Sequence, residues 1–104
     1  MFQTMDEVRR ANRDAGYHWF SGESDRFFRT RYESGLMTVG GRQFFITSEQ
    51  REHDSERRFT VRKVCADGAI STVGKFMEYA SLHEAMDGAF DIAASANVPW
   101  AVTP

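Results

Sequence analysis

Apolar and polar positions repeat along this chain with two different periods, and the change of period marks the elements. Between residues 57 and 79 the spacing is two. Phe59, Val61 and Cys65 alternate with Arg58, Thr60 and Arg62, as in a strand that buries one face. Asp67-Gly68 follows, a pair suited to the positive φ angles of a two-residue type I′ hairpin turn. Residues 69–79 return as a second strand. With Asp67 and Gly68 as the turn, Phe59 faces Phe76, Val61 faces Gly74 and Cys65 faces Ile70 on the buried side. Arg58, Thr60 and Arg62 then share the other side with Val73, Lys75 and Met77. A slip of one residue exchanges the two sides, so the register is a sharp expectation. Lys63 falls on the apolar side and has to snorkel past the edge.

The period changes to three and four after Ser81. Leu82, Ala85, Met86, Ala89, Phe90 and Ala93 fall on one helical face, and Glu84, Asp87 and Asp91 form a narrow acidic stripe opposite. Ser81-Leu82-His83-Glu84 is a capping-box start. Gly88 costs about 1 kcal/mol relative to alanine inside a helix, a penalty that fits a close approach to a strand. Thr4-Met5-Asp6-Glu7 is a second capping box. It opens a helix with Met5, Val8, Ala11, Asn12 and Ala15 on one side, and Gly16 stops it.

The remaining segments carry weaker patterns. Tyr17-His18-Trp19-Phe20 reads as an aromatic connector. Ser21 is placed to cap a short helix over 22–30, with Phe27, Phe28 and Tyr32 as its buried side. The β-prone run Gln43-Phe44-Phe45-Ile46-Thr47 is predicted as the first strand. Residues 48–56 hold no apolar side chain and read as a solvated loop. Trp100 is expected to pack a short tail onto the body. The predicted fold is α+β in a single domain over 1–104: two N-terminal helices, the second short, then a three-stranded antiparallel sheet, then a C-terminal amphipathic helix on one sheet face. The other face is expected to meet solvent.

Composition narrows the classes. The 104 residues carry a formal charge of −2, with 41% hydrophobic and 13% aromatic content, which excludes an intrinsically disordered chain. A single cysteine forbids an intrachain disulfide and favours a reducing compartment. Met-Phe-Gln-Thr-Met-Asp-Glu lacks the basic and apolar regions of a secretory leader, and no apolar run is long enough to span a bilayer. A cytoplasmic protein without membrane contact is expected. Every lysine and arginine lies between Arg9 and Lys75, so the acids after Phe76 stand unbalanced.

Residues capable of chemistry are present without a catalytic pattern. His18, His53 and His83 show no metal-ligand spacing with Cys65. Cys65 beside a histidine would be a nucleophile, but its inward position fits a small buried hydrophobe. Ser21 with His18 and Asp25 has triad composition, yet the same residues describe an N-capped helix. Gly35, Gly40 and Gly41 form no phosphate-binding loop. No enzyme activity, cofactor or metal is expected. Two surfaces remain. Glu84, Asp87 and Asp91 form an electronegative stripe that attracts a basic partner or imitates a row of phosphates. Arg58, Arg62 and Lys75 form a basic sheet face suited to a nucleic-acid backbone or an acidic partner. The element order is similar to the double-stranded-RNA-binding domain. That family places a basic cluster at the start of its last helix, where this chain has Ser81-Leu82-His83-Glu84, so the activity does not carry over.

Residues 16–21, Arg26-Phe27-Phe28, Phe45-Ile46-Thr47-Ser48-Glu49, Arg58-Phe59-Thr60-Val61-Arg62 and the Asp67-Gly68 hairpin together resemble small proteins carried by phages, plasmids and integrated elements, with no assigned activity. The resemblance spans about residues 4 to 94 and implies a mobile-element origin. The expected function is a non-enzymatic interaction protein that inhibits a host defence complex, of the anti-CRISPR or anti-restriction type, through charged surfaces. Its partner would be a host protein or ribonucleoprotein. The alternative is direct nucleic-acid binding through the basic sheet face.

Overall fold

Helix α1, Met5–Asp14, begins where the sequence sets it. In the computed structural model, which describes residues 1–17, 32–50 and 56–94, Thr4 Oγ1 accepts from Glu7 N at 3.2 Å. The Glu7 carboxylate reaches back to Gln3 N at 2.6 Å. At the other end Gly16 takes φ 88°. Tyr17 N donates to Asn12 O and Gly16 N to Arg13 O, both at 3.0 Å, the two bonds of a Schellman stop. The predicted short helix over 22–30 and the Trp100 tail lie outside the described residues.

Strand β3, Arg42–Glu49, is the centre of the sheet. β1 (Tyr32–Glu33) and β2 (Met37–Val39) both pair antiparallel with one of its edges, and β4 (Arg58–Val64) with the other. β5 (Ile70–Val73) then pairs with β4. The α+β class and the antiparallel sheet agree with expectation, but five strands replace the predicted three. β1 and β2 are too short for a period-two pattern to develop. β3 also runs further than predicted: Ser48 and Glu49, assigned to a solvated loop, are 1% and 0% exposed. Both have polar partners: Ser48 Oγ accepts from Arg57 Nη2 at 2.9 Å, and Glu49 accepts from Thr60 and Arg62.

The hairpin register is one residue away from expectation. Val61 pairs with Val73 and Val64 with Ile70, rather than Val61 with Gly74. Cys65 N donates to Ala69 O at 2.8 Å and Gly68 N to Cys65 O at 2.9 Å. The turn is therefore the three residues Ala66, Asp67 and Gly68, with Gly68 at φ 93°. Such a loop closes with a glycine in the left-handed region just as a two-residue turn does. Beyond Val73 the ladder breaks. It resumes as a single bridge between Phe59 and Tyr79, so Phe76 does not face Phe59 and is 43% exposed.

Helix α2, Leu82–Ala94, packs on the sheet face that carries Phe44, Ile46 and Val61. Ala85, Ala89 and Ala93 are its buried contacts, small enough to bring helix and sheet close. Phe90 was expected among them but is 39% exposed. It sits at the margin of the face, its ring edge-on to Phe44 at 5.4 Å. Gly88 does allow a close approach, and the visitor is the Tyr79 ring: a Cβ at Gly88 would run into the phenol. The helix's C-terminal carbonyls of Ile92 and Ala93 accept from Arg42 Nη1 at 3.2 and 3.1 Å. A cation from β3 thus supplies what the helix's own last turn lacks.

The opposite sheet face is not open. Phe45, Thr47, Glu49 and Thr60 are 0% exposed, Gln43 5% and Arg62 9%. The N-terminal segment and α1 are tied at one point each. The Gln43 amide exchanges bonds with the Phe2 backbone, and Asn12 Nδ2 donates to Gly68 O at 2.8 Å. A Cβ on Gly68 would lie 2.6 Å from Asn12 N, so the hairpin turn doubles as the seat of the helix. Lys63 stays on the Val61 side as expected, yet it is 2% exposed and does not escape past the edge.

Candidate functional site

Two of the expected surfaces can now be placed. Glu84, Asp87 and Asp91 are all exposed on one face of α2, because positions three and four apart stack along a helix. The Ser81 hydroxyl accepts from Glu84 N at 3.1 Å, and the Glu84 carboxylate accepts from Ala80 N at 3.3 Å. Asp87 Oδ2 lies 3.2 Å from His83 Nε2, both side chains exposed. Phe90 borders this face, one turn on from Asp87. The result is an acidic strip with an accessible aromatic edge.

The three cations meet in an arrangement quite unlike an open sheet face. Arg58 Nε donates to Met77 O at 3.0 Å and its Nη2 to Glu78 O at 2.7 Å. Arg62 is buried and its guanidinium carbon lies 5.5 Å from the centroid of the Phe76 ring. Lys75 is exposed in the same loop. All three therefore gather at residues 74–78, two of them inward. The expected array of cations for a phosphate backbone is corrected: the register slip and the covered face turn Arg58 and Arg62 into structural clamps.

Beneath that loop lies a polar cluster that sequence reasoning missed. Glu49 is 0% exposed and Arg62 Nη2 lies 3.1 Å from its Oε1. The same oxygen accepts from the Thr47 hydroxyl, and Oε2 accepts from Thr60 Oγ1 at 2.9 Å. Arg62 Nε and Nη1 donate to Thr47 Oγ1 and Thr72 Oγ1 at 3.1 and 2.7 Å. Each buried charge thus finds several partners, which a buried pair requires. Sealed from solvent, the Glu49 carboxylate cannot reach a substrate proton as a general base must. The only sequence signal was an alternation of Thr47, Glu49 and Thr60, Arg62 within β-prone surroundings.

A model of the family of unknown function DUF7447 matches residues 4–89. The chain belongs to that family. No curated protein and no solved structure matches it. The DUF7447 match takes in α1, the whole sheet and the start of α2. It includes Glu84 and Asp87 and stops short of Phe90 and Asp91.

The other chemical candidates divide by position. His18, His53, Ser21 and Asp25 lie outside the described residues. Cys65 is half-buried with a free thiol, and no group of metal-binding side chains occurs among the described residues. Near Cys65, Tyr17 Oη donates to Asp67 Oδ2 at 2.8 Å. That bond and the carboxylate's charge raise the Tyr17 pKa. The Asp67 pKa is lowered, first by the bond from Ala69 N and then by Tyr17. Tyr79 is raised by burial and then by the charge of Glu78. Of these groups Tyr79 is the one beside the acidic strip, its ring held on Gly88.

Proposed function

We propose that this chain is a non-enzymatic interaction protein of a mobile element that inhibits a host defence complex, of the anti-CRISPR or anti-restriction type. Its contact surface is the acidic face of α2, formed by Glu84, Asp87 and Asp91 with Phe90 at its margin. The observation that carries this reading is the placement of Asp91. It occupies the last turn of α2, where no basic residue stands. A carboxylate there opposes the negative end of the helix dipole. The chain offsets this with Arg42 on the Ile92 and Ala93 carbonyls. Holding an acid where it weakens the helix is expected when the acid serves a contact. A row of carboxylates with an aromatic edge suits a basic groove that normally receives nucleic acid. The resemblance to proteins of phages and plasmids supports the same setting.

The test is phage challenge of hosts carrying defined CRISPR or restriction systems, with and without the expressed protein. Protection of the phage by the wild-type chain, lost in the folded triple variant E84K/D87K/D91K, is the expected result. Equal protection by the triple variant, or none against any system, removes the proposal.

A further inference from the structure

We infer that β5 pairs with the β5 of a second copy of this chain, antiparallel across a two-fold axis through Ser71, so that two sheets join edge to edge. The contact is separate from the acidic face of α2 and does not rest on the function proposed above.

β5 is the last strand of the sheet. On its inner edge Cys65 N donates to Ala69 O. The register Lys63 with Ser71 and Val61 with Val73 repeats that bonded pairing at every second residue. The N–H and C=O groups of Ile70 and Thr72 therefore point away from β4. Among the described residues no strand pairs with that outer edge. A row of donors and acceptors at strand spacing is covered by one kind of partner, another extended strand.

The fold guards its two edges unequally. On the far side β1 and β2 are two and three residues long, and Glu33 lies in β1. Short edge strands and charges are the usual defences against edge pairing. Residues 69–73 read Ala-Ile-Ser-Thr-Val, without a charge or a proline. Every residue of β5 is only half-buried.

The layout of the segment selects a second copy and fixes the register. Gly68 and Gly74 take φ 93° and 76°, so the extended run ends at both, and Ser71 lies midway between them. An axis at Ser71 sets Ile70 against Thr72 of the second copy, and Thr72 against Ile70 of the second copy. Every outward N–H and C=O of the two strands then finds a partner. An axis at Ile70 or Thr72 instead sets an outward residue against Gly68 or Gly74, where the strand has ended. An axis between residues sets outward groups against inward ones.

Side chains agree with this register. Ser71 meets its own copy on the α2 side, and it is small enough for the close approach of a non-bonded pair. On the other side Ile70 lies beside a threonine, a β-branched neighbour of the kind sheets favour. Exposed Asp67 flanks one end of the strand, and exposed Lys75 and Glu78 the other. Antiparallel pairing therefore keeps the two Asp67 carboxylates apart. A ladder this short buries little area, so the dimer is weak and depends on concentration.

Sedimentation velocity of the full chain over a wide range of concentration tests the inference, and the mean mass of the wild type should rise toward a dimer. Ser71→Glu places two carboxylates together at the axis, while within one chain the new carboxylate falls opposite Lys63. Ile70→Pro removes an N–H that points away from β4. Each variant should weaken the dimer by about tenfold or more. E84K/D87K/D91K should leave it intact. Under mild oxidation C65S/S71C should form a disulfide-linked dimer, because Cα atoms of a non-bonded pair lie about 4.5 Å apart. The control C65S/D14C, with its thiol at the exposed end of α1, should not. Circular dichroism verifies the fold of each variant. Wild-type association that Ser71→Glu and Ile70→Pro leave unchanged overturns the inference, as does equal cross-linking of the two cysteine variants. So does a monomer at every concentration, including one that binds a foreign extended peptide along this edge.

Discussion

Arg62 Nη2 lies 3.1 Å from Glu49 Oε1, with side chains 11% and 0% exposed, and this pair joins β4 to β3 from inside the sheet's second face. Removing one charge strands the other in a site closed off from solvent. Arg62→Met should therefore cost about 3–5 kcal/mol, read as a drop in the urea midpoint. The double change Arg62→Met with Glu49→Leu should recover much of that loss, because two matched apolar groups leave no orphan charge. A single variant as stable as wild type would deny the pair its structural role.

Arg42 makes a second long-range contact of measurable worth. Its bonds to Ile92 O and Ala93 O complete the end of α2. Arg42→Met should destabilise the protein by about 1–2 kcal/mol, with the loss concentrated in faster amide exchange in the last turn of the helix.

The acid in that last turn predicts the opposite sign. Asp91→Asn should stabilise the fold by about 0.3–1 kcal/mol at low salt, and the gain should shrink as salt is added. The same change should weaken inhibition in the phage challenge. Destabilisation by Asp91→Asn would mean the carboxylate serves the fold, and the argument for a contact role would fail.

Gly88→Ala tests packing against propensity. Alanine gains about 1 kcal/mol in a helix interior, but its methyl would meet the rigid Tyr79 ring. Overpacking of this kind costs about 1–3 kcal/mol, so a lower thermal midpoint is expected.

Titration of the tyrosines gives the pH dependence. Tyr17 and Tyr79 both have raised pKa values in the folded chain. Their contribution is therefore fully present below the unfolded tyrosine value of about 10 and disappears as pH climbs through the folded values. Asp67 is lowered, so its contribution holds above about 3.9 and disappears as pH falls through its folded value. Tyrosinate absorbance should show both phenols titrating above the ordinary midpoint. Asp67→Asn should bring Tyr17 back toward it and leave Tyr79 unmoved.

What the sequence made legible was local. Both helix starts are capped by the expected Thr4 and Ser81 hydroxyls, with Glu7 and Glu84 reaching back to the amide one residue before the cap, and the α2 stripe is exposed, because each depends on residues within one or two helical turns. The hairpin turn was legible in place but one residue off in register. Asp67-Gly68 fits a two-residue turn and the end of a three-residue turn equally well. Pairing of Phe44 and Ile46 with Lys63 and Val61, together with α2 above them, chooses between the two. Arg62 keeps its expected side of β4 but that side is covered, and Phe76 lies beyond Val73, where the ladder ends, so the nominated basic face is not an open one. Glu49 was illegible because a polar run reads as loop unless its buried partners are known.

The placement of β3 bears on how the chain survives before it is finished. Gln43-Phe44-Phe45-Ile46-Thr47 is apolar on both sides and flanked by partners on both edges, which makes it the segment most prone to stack with copies of itself when uncovered. β4 emerges from synthesis soon after it, but the α2 lid comes last. Chains truncated before Ser81 should accumulate as insoluble, thioflavin-positive material, and charged substitutions at Phe45 that disfavour stacking should return them to the supernatant without restoring the fold.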